Sequence, residues 1–243
     1  TQLSLSQAYR ELLEQAGASR QKFNKAFAQF LNSPSTEVTG VESFLDRIAA
    51  PLARQSRLLI LVLDGCSQAV LLELLKSLEE NEWVCYLPEE PSHGRLLSAL
   101  PSVTEVARTS LLSGALRQGQ ASNEKEALSQ HPALRGACNK DYPPQLFHKK
   151  DLLEAKVYER LKSDSYRVVT VVVNAIDDTL AKDEQLNLNW STELIAPLEN
   201  LLHAARFRNR MILLVSDHGH LLEDGTQELP TPGGAGNRWQ PGN

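Results

Sequence analysis

Three cysteines in 243 residues, Cys66, Cys85 and Cys138, are too few and too widely spaced for a disulfide framework or a cysteine-type zinc site. Thiols used this sparingly fit a reducing, cytoplasmic setting. Long apolar runs are missing as well. None approaches the roughly 20 residues of a membrane span, and no secretory apolar segment opens the chain. The first residue is not Met, as expected of a piece excised from a longer protein. Nor is there an excess of one charge: 25 Lys and Arg against 30 Asp and Glu leave a net charge of −5. That balance exerts no global pull toward nucleic acid or anionic lipid, although a local basic groove would not register in it. Internal repeats are absent, and so is any G-x-x-x-x-G-K-[ST] segment, which excludes a P-loop nucleotide-binding protein.

What is present is ordinary for a globular chain: 42% apolar and 23% charged residues, with enough length to bury a substantial core. Residues 1–55 read as a helical N-terminal segment or appendage. Ser6 would cap a helix with Tyr9, Leu12, Leu13 and Ala16 on one face and Gly17 as its stop. Phe23, Phe27, Phe30 and Leu31 mark a second apolar stripe. After the breaker SPSTEVTG (33–40), Phe44, Leu45, Ile48 and Leu52 mark a third.

From residue 56 the pattern changes. LLILVL (58–63), VVTVVV (168–173), MILLV (211–215) and the shorter WVCYL (83–87) are apolar without polar alternation. Amphipathic stretches separate them: one capped by Ser67 and carrying Leu71, Leu74, Leu75 and Leu78, others over about 151–162 and 191–205. Strands buried on both faces and alternating with helices predict an α/β fold over 56–243, a mostly parallel sheet with helices on both faces. The Gly/Pro-rich tail PTPGGAGNRWQPGN reads as loop.

Three strands deliver acids at their carboxyl ends: Asp64, then Asp177 or Asp178, then Asp217, which is followed by His218 and His220. Ligands of open α/β sheets bind beyond that edge. Carboxylates converging there repel one another unless a cation neutralises them, and a mixed Asp/His donor set suits Zn²⁺ or Mn²⁺. One strand-end Asp is more often a helix N-cap or turn residue. Three at one edge make a metal site an equal contender; His220 by itself reads as a loop residue. LPSVTEVARTSLLSG (100–114) sets Thr104 at the start of a helix that carries Val106, Leu111 and Leu112. The hydroxyl of Thr104 or Ser102 is either a cap or a nucleophile at the positive helix end, where a phosphate also binds. A Thr hydroxyl is inert at neutral pH without a base or a metal, and a metal at the same edge would activate it.

The phrases VLDGCS, LPSVTEVARTSLLSG, VVVNAIDDTL and VSDHGH, in that order, resemble the alkaline phosphatase superfamily, and more narrowly the PglZ domain of BREX-type bacterial phage-defence systems, over roughly residues 56–243. The resemblance implies an alkaline phosphatase-like α/β/α core, a two-metal centre, usually zinc or manganese, and metal-dependent hydrolysis of phosphoric esters. It assigns the nucleophile to Thr104, because Pro101-Ser102-Val103-Thr104, running to Ser113-Gly114, stands where related phosphodiesterases carry Pro-Thr-x-Thr and Thr-Gly. It groups Asp64, Asp217 and His218 with Thr104 around one metal and assigns Asp177 or Asp178 to the second. There this chain departs from the pattern: Ala181 and Lys182 stand where a His should follow either acid, and no His follows His220. Asp183 or His220 would have to complete that second site. The phosphate-holding Asn of the phosphodiesterases falls on Ala107. Arg108 is a candidate phosphate contact whose default reading is a solvated side chain, and His93 reads as a loop residue. The implied partners are other proteins of the defence system and, for a nuclease, DNA; a membrane is not among them. The alternatives are a metal-dependent DNA nuclease and a degenerate, non-catalytic interaction module of a defence complex.

Overall fold

The computed structural model describes residues 2–32, 38–86, 95–153, 155–180 and 189–220, in two units, Thr1–Val38 and Thr39–Asn243. The first is one helix, α1 (Gln2–Asn32). It runs through Gly17, where the sequence predicts a stop. A glycine ends a helix by turning left-handed, and Gly17 does not. In a helix interior it costs only about 1 kcal/mol relative to alanine, which neighbouring Ala16 and Ala18 tolerate. Phe23, Phe27 and Phe30 stack along α1 with ring centroids 6.2 Å apart.

In the second unit, β1 (Thr39–Gly40) leads into consecutive helical pieces, a 3-10 turn (Val41–Ser43), a π-helical segment (Leu45–Ala49) and α2 (Ala50–Gln55). The central strand β2 (Leu58–Leu63) follows, then α3 (Gln68–Glu80), capped by Ser67, whose hydroxyl accepts a hydrogen bond from Val70 N. β3 (Leu96–Leu97) pairs in parallel with β1. Next come α4 (Thr104–Ser113), α5 (Ala121–Gln130), α6 (Pro132–Ala137), β4 (Gln145–Phe147), a 3-10 turn (Lys149–Leu153) and α7 (Lys156–Lys162). β5 (Val168–Val173), α8 (Ala175–Leu180), α9 (Leu198–Arg206) and β6 (Met211–Val215) complete the described chain. The main sheet has the order β4-β5-β2-β6, every neighbour parallel.

β2 is apolar at every position because both of its faces are covered. Leu59, Leu61 and Leu63 join Val169, Val171 and Val173 in one core with residues of α3, α7 and α9. Leu58, Ile60 and Val62 join Val168 and Val172 in a second core. Phe44, Leu45, Ala49, Ala50 and Ala53 from the 41–55 stretch close that face with Leu111, Leu112, Leu128 and Leu134. Helices on both faces of a parallel sheet are the expected α/β architecture.

The residues of WVCYL do not form a strand over 83–86, and Leu87 lies outside the described residues. The segment leaves α3 through Glu82 at φ 62, and Val84 and Tyr86 are exposed rather than covered. An apolar run becomes a strand only where a sheet edge and a core accept it. The helix expected from about 191 starts at Leu198, after Pro197, which cannot donate the backbone bond an earlier turn would need. The tail after 220, with Asp183 and His93, lies outside the described residues. No described helix is long and apolar enough to cross a membrane, and Cys66, Cys85 and Cys138 are free thiols.

Candidate metal centre

Register brings the site together. Leu63 pairs with Val173 and Val62 with Val215, so the residues just past β2, β5 and β6 stand level at the carboxyl edge of the sheet. Asp64 follows β2, Asn174 follows β5, and Asp217 and His218 follow β6 after one residue. β2 lies between the other two, and this is the edge at which open parallel sheets take ligands.

His218 Nδ1 lies 2.9 Å from Gly219 O, which can only accept, so Nδ1 carries a proton and Nε2 is the ring nitrogen left to face the site. That Nε2 is 2.9 Å from Thr104 Oγ1, 3.4 Å from Asp64 Oδ1 and 3.7 Å from Asp217 Oδ2. Both carboxylate oxygens are buried and make no hydrogen bond among the described residues. Their partner oxygens are occupied. Asp64 Oδ2 accepts from Arg108 Nη1 at 2.8 Å and from Asn174 Nδ2. Asp217 Oδ1 accepts from His218 N at 2.9 Å and Gly65 N at 3.4 Å. One ligand atom each from Asp64, Asp217 and His218 lies within 4.8 Å of the others.

Two buried carboxylate oxygens without a hydrogen-bond partner, converging beside an imidazole nitrogen, are a costly arrangement for a protein alone. Burial, with Asp64 beside it, pushes the Asp217 carboxyl up to about 7. Burial also raises Asp64, against the pull of Arg108. A divalent cation removes the conflict, and two carboxylate oxygens, an imidazole nitrogen and a hydroxyl are the donor set that Zn²⁺ or Mn²⁺ takes. The residues present therefore fit the metal. Cys66 does not join them: burial, then Asp217, pushes its thiol up to about 12.

Thr104 opens α4, but the N-cap is Val103 and no side chain caps the helix. Neither Thr104 nor Ser102 acts as the cap that each was read as an alternative for. The Thr104 hydroxyl faces His218 instead. One turn on, Arg108 is not the solvated side chain expected by default. Its side chain is 13% exposed, with Nε 3.1 Å from Glu124 Oε1 and Nη1 on Asp64. Glu124, on α5, is fully buried and also accepts from Thr109 Oγ1 at 3.2 Å. His148 Nε2 approaches Glu124 Oε2 at 3.4 Å. Burial, then Arg108 and Lys125, pushes that imidazole down to about 4, so it is neutral at pH 7. Ala107, at the position of the phosphodiesterase Asn, is buried.

Of the residues proposed from sequence, the fold thus brings Asp64, Thr104, Asp217 and His218 together. Asp177 lies beside Gly65, whose φ is +71, and a Cβ there would stand 3.2 Å from Asp177 Oδ1. His220 Nδ1 donates to Gly65 O at 3.1 Å. Neither joins the ligand cluster. Asp178 turns away to Lys149 Nζ at 2.6 Å. Asn174 and Glu124 were not anticipated as site residues. Asn174 carried a signal, being the first residue after a strand at the functional edge. Glu124 carried none, because its role comes from packing α5 against α4.

Comparison with known proteins agrees with this geometry. A family model described as the BREX system PglZ alkaline phosphatase-like domain matches residues 44–229. A search of curated proteins finds no match.

Proposed function

The chain belongs to the BREX-system PglZ family of alkaline phosphatase-like domains, and from that membership we propose that it hydrolyses phosphoric esters, with a divalent cation held by Asp64, Asp217 and His218 and with Thr104 as the nucleophile. The observation that carries the reading is the convergence of Asp64 Oδ1, Asp217 Oδ2 and His218 Nε2 beside the Thr104 hydroxyl. Bound Zn²⁺ or Mn²⁺ would act there as a Lewis acid, lowering the pKa of the hydroxyl and offsetting charge on the phosphoryl oxygens.

The remaining work falls to the chain itself. Arg108 and Asn174 hold Asp64, while Gly65 N and His218 N hold Asp217, so the ligand oxygens keep their aim. His218 is steadied through Gly219 O, and Ser98 Oγ donates to Asp217 O at 2.8 Å. The uncapped amino end of α4 offers backbone N–H groups to an anionic substrate. Thr104 Oγ1 gives up its proton and bonds to phosphorus while the ester's alcohol leaves with a proton. Water then cleaves the phospho-threonine, releasing phosphate from a monoester or a phosphate monoester from a diester, and restoring the hydroxyl.

The test combines metal content with hydrolysis of nitrophenyl phosphate mono- and diesters. Thr104→Ala and Asp217→Ala are each expected to lower kcat/KM by at least about 10³-fold, and a chelator to abolish turnover. A wild type that takes up neither Zn²⁺ nor Mn²⁺, or two variants as active as wild type, would overturn the reading. Metal-dependent plasmid nicking that requires Thr104 would extend the substrate to DNA phosphodiesters. Tight metal binding with no turnover of any ester would instead make this a non-catalytic module among the proteins of a defence complex, a reading favoured by the commitment of Asp178 to Lys149.

A further inference from the structure

An arginine directly precedes each of the three long strands of the main sheet: Arg57 before β2, Arg167 before β5 and Arg210 before β6. Register sets the three level, because Leu58 pairs with both Val168 and Met211. They stand at the amino edge, one strand length (about 20 Å at 3.3 Å per residue) from the metal centre. Arg208 joins them through Asp164, Arg160 through its place over Tyr166, and Arg135 through Cys138, on which it acts together with Arg167. Part of this crowd serves the fold. Arg167 donates to Arg54 O at the end of α2, and Arg210 to Leu161 O and Ser163 O at the end of α7. Carbonyls at helix ends carry only partial charge, so the cations stay under-neutralised. Of these six arginines, only Arg57 and Arg208 meet a carboxylate among the described residues, and it is the same one, Asp164. Burial and then Arg57 push the Arg210 guanidinium down to about 10, against the pull of Asp164. Arg135 Nη1 is buried without a hydrogen-bond partner among the described residues.

A cleft of about 570 Å³ opens on this edge. Arg57, Arg167, Ser56, Ser165, Asn139 and Tyr142 line it, and Asp164 is the one carboxylate among its described lining residues. Arg167 binds carbonyls through Nε and Nη2, which leaves Nη1 without a partner among the described residues. A guanidinium fork matches the oxygens of a phosphoryl group, and hydroxyl and amide groups beside it complete such a site. The volume is more than a phosphate ion fills and lies within the roughly 300–1,000 Å³ of small-molecule sites. Tyr142 supplies a flat apolar wall. Its ring is held edge-on to Tyr166, with centroids 5.2 Å apart, and Arg160 lies over the Tyr166 ring at 4.5 Å. Guanidinium groups beside an aromatic ring are the pairing that a phosphate joined to a base requires.

We propose that this amino-edge cleft binds a nucleoside phosphate, with the phosphoryl groups on Arg57 and Arg167 and the base against Tyr142. The length of the sheet separates it from the metal centre, so its ligand is held there and not hydrolysed. The site needs no metal and stands whether or not the carboxyl edge holds one.

The experiment is calorimetric titration of the whole chain with ADP, pyrophosphate, a single-stranded DNA of about 12 nucleotides and an oligoglutamate. EDTA is present throughout, so that no metal-bound phosphate contributes. Wild type is expected to bind one ADP with a Kd below about 1 mM, and pyrophosphate at least about 3-fold more weakly. Arg57→Gln is expected to weaken ADP binding at least about 10-fold, and Arg57→Lys at least about 3-fold, because the fork is lost. Tyr142→Leu is expected to erase the preference for ADP over pyrophosphate. Circular dichroism checks that the variants fold, and should Arg57→Gln fail to do so, the Tyr142→Leu comparison decides alone. A wild type that binds no ADP overturns the proposal, as does unchanged ADP affinity in folded Arg57→Gln or a retained preference in Tyr142→Leu. DNA bound at least about 10-fold more tightly than ADP would make this edge a nucleic-acid track, and oligoglutamate bound as tightly as ADP an acidic-protein surface. Either result overturns the nucleoside-phosphate assignment.

Discussion

His148 shows how one buried side chain ties the neighbourhood of the site to pH. Its imidazole is held down to about 4 by burial, then by Arg108 and Lys125, with Asp151 and a backbone bond to Ala121 pulling the other way. In the unfolded chain the same ring titrates near its ordinary 6.5. A depressed histidine keeps the folded state from taking up a proton that the unfolded state accepts. Its contribution is therefore complete above pH 6.5 and is lost as pH falls from 6.5 toward 4, by about 3 kcal/mol at most. Urea unfolding across that window should show a falling midpoint in wild type and a flatter one in His148→Gln; parallel curves would remove His148 from the explanation. At the same scale the site was partly legible. Asp64, Asp217 and His218 stand out because they follow apolar runs, Asp64 at once and the Asp-His pair after Ser216. Arg108 sits four residues after Thr104 on one helix face, which permits a shared role, but only burial separates a site arginine from a solvated one.

Among the elements, β2 was the most legible and matters most for stability. LLILVL lacks alternation because odd positions feed one core and even positions the other. Leu61→Ala should cost about 2–5 kcal/mol, since nothing can collapse into the space. Leu72→Ala, on the exposed side of α3, should cost under about 0.5 kcal/mol. Denaturant midpoints measure both, and comparable losses would contradict the two-faced burial of β2. Elements whose state depends on what receives them were harder to read. Trp83–Tyr86 has strand composition but pairs with no strand among the described residues, and α1 runs through a glycine that takes helical backbone. α4 has the sequence of a capped helix, yet its first hydroxyl is turned toward His218.

Across the whole molecule, every residue of the two cores falls at or after Val41. A chain lacking residues 1–38 is therefore expected to unfold cooperatively, with a thermal midpoint within a few degrees of full length, by calorimetry or circular dichroism. A non-cooperative transition in the truncated chain would show that the sheet unit cannot stand on its own cores. The match to the PglZ family begins at residue 44, within the helical stretch that closes the second core.

By itself the sequence determined that strands and helices alternate, that β2 and β5 are buried on both faces, and which residues follow the strands at the functional edge, whereas the equally apolar MILLV became the half-exposed strand β6. Those are properties of neighbours a few positions apart, written in the period of apolar residues and in turn chemistry. Only the tertiary structure decided which acids meet. Asp64 reaches Asn174 across 110 residues and Arg108 across 44, while Asp178, adjacent to Asp177, goes to Lys149 instead. Such pairings depend on strand register and on the rotation of each helix against the sheet. A shift of one residue in either exchanges a buried ligand for a surface ion pair.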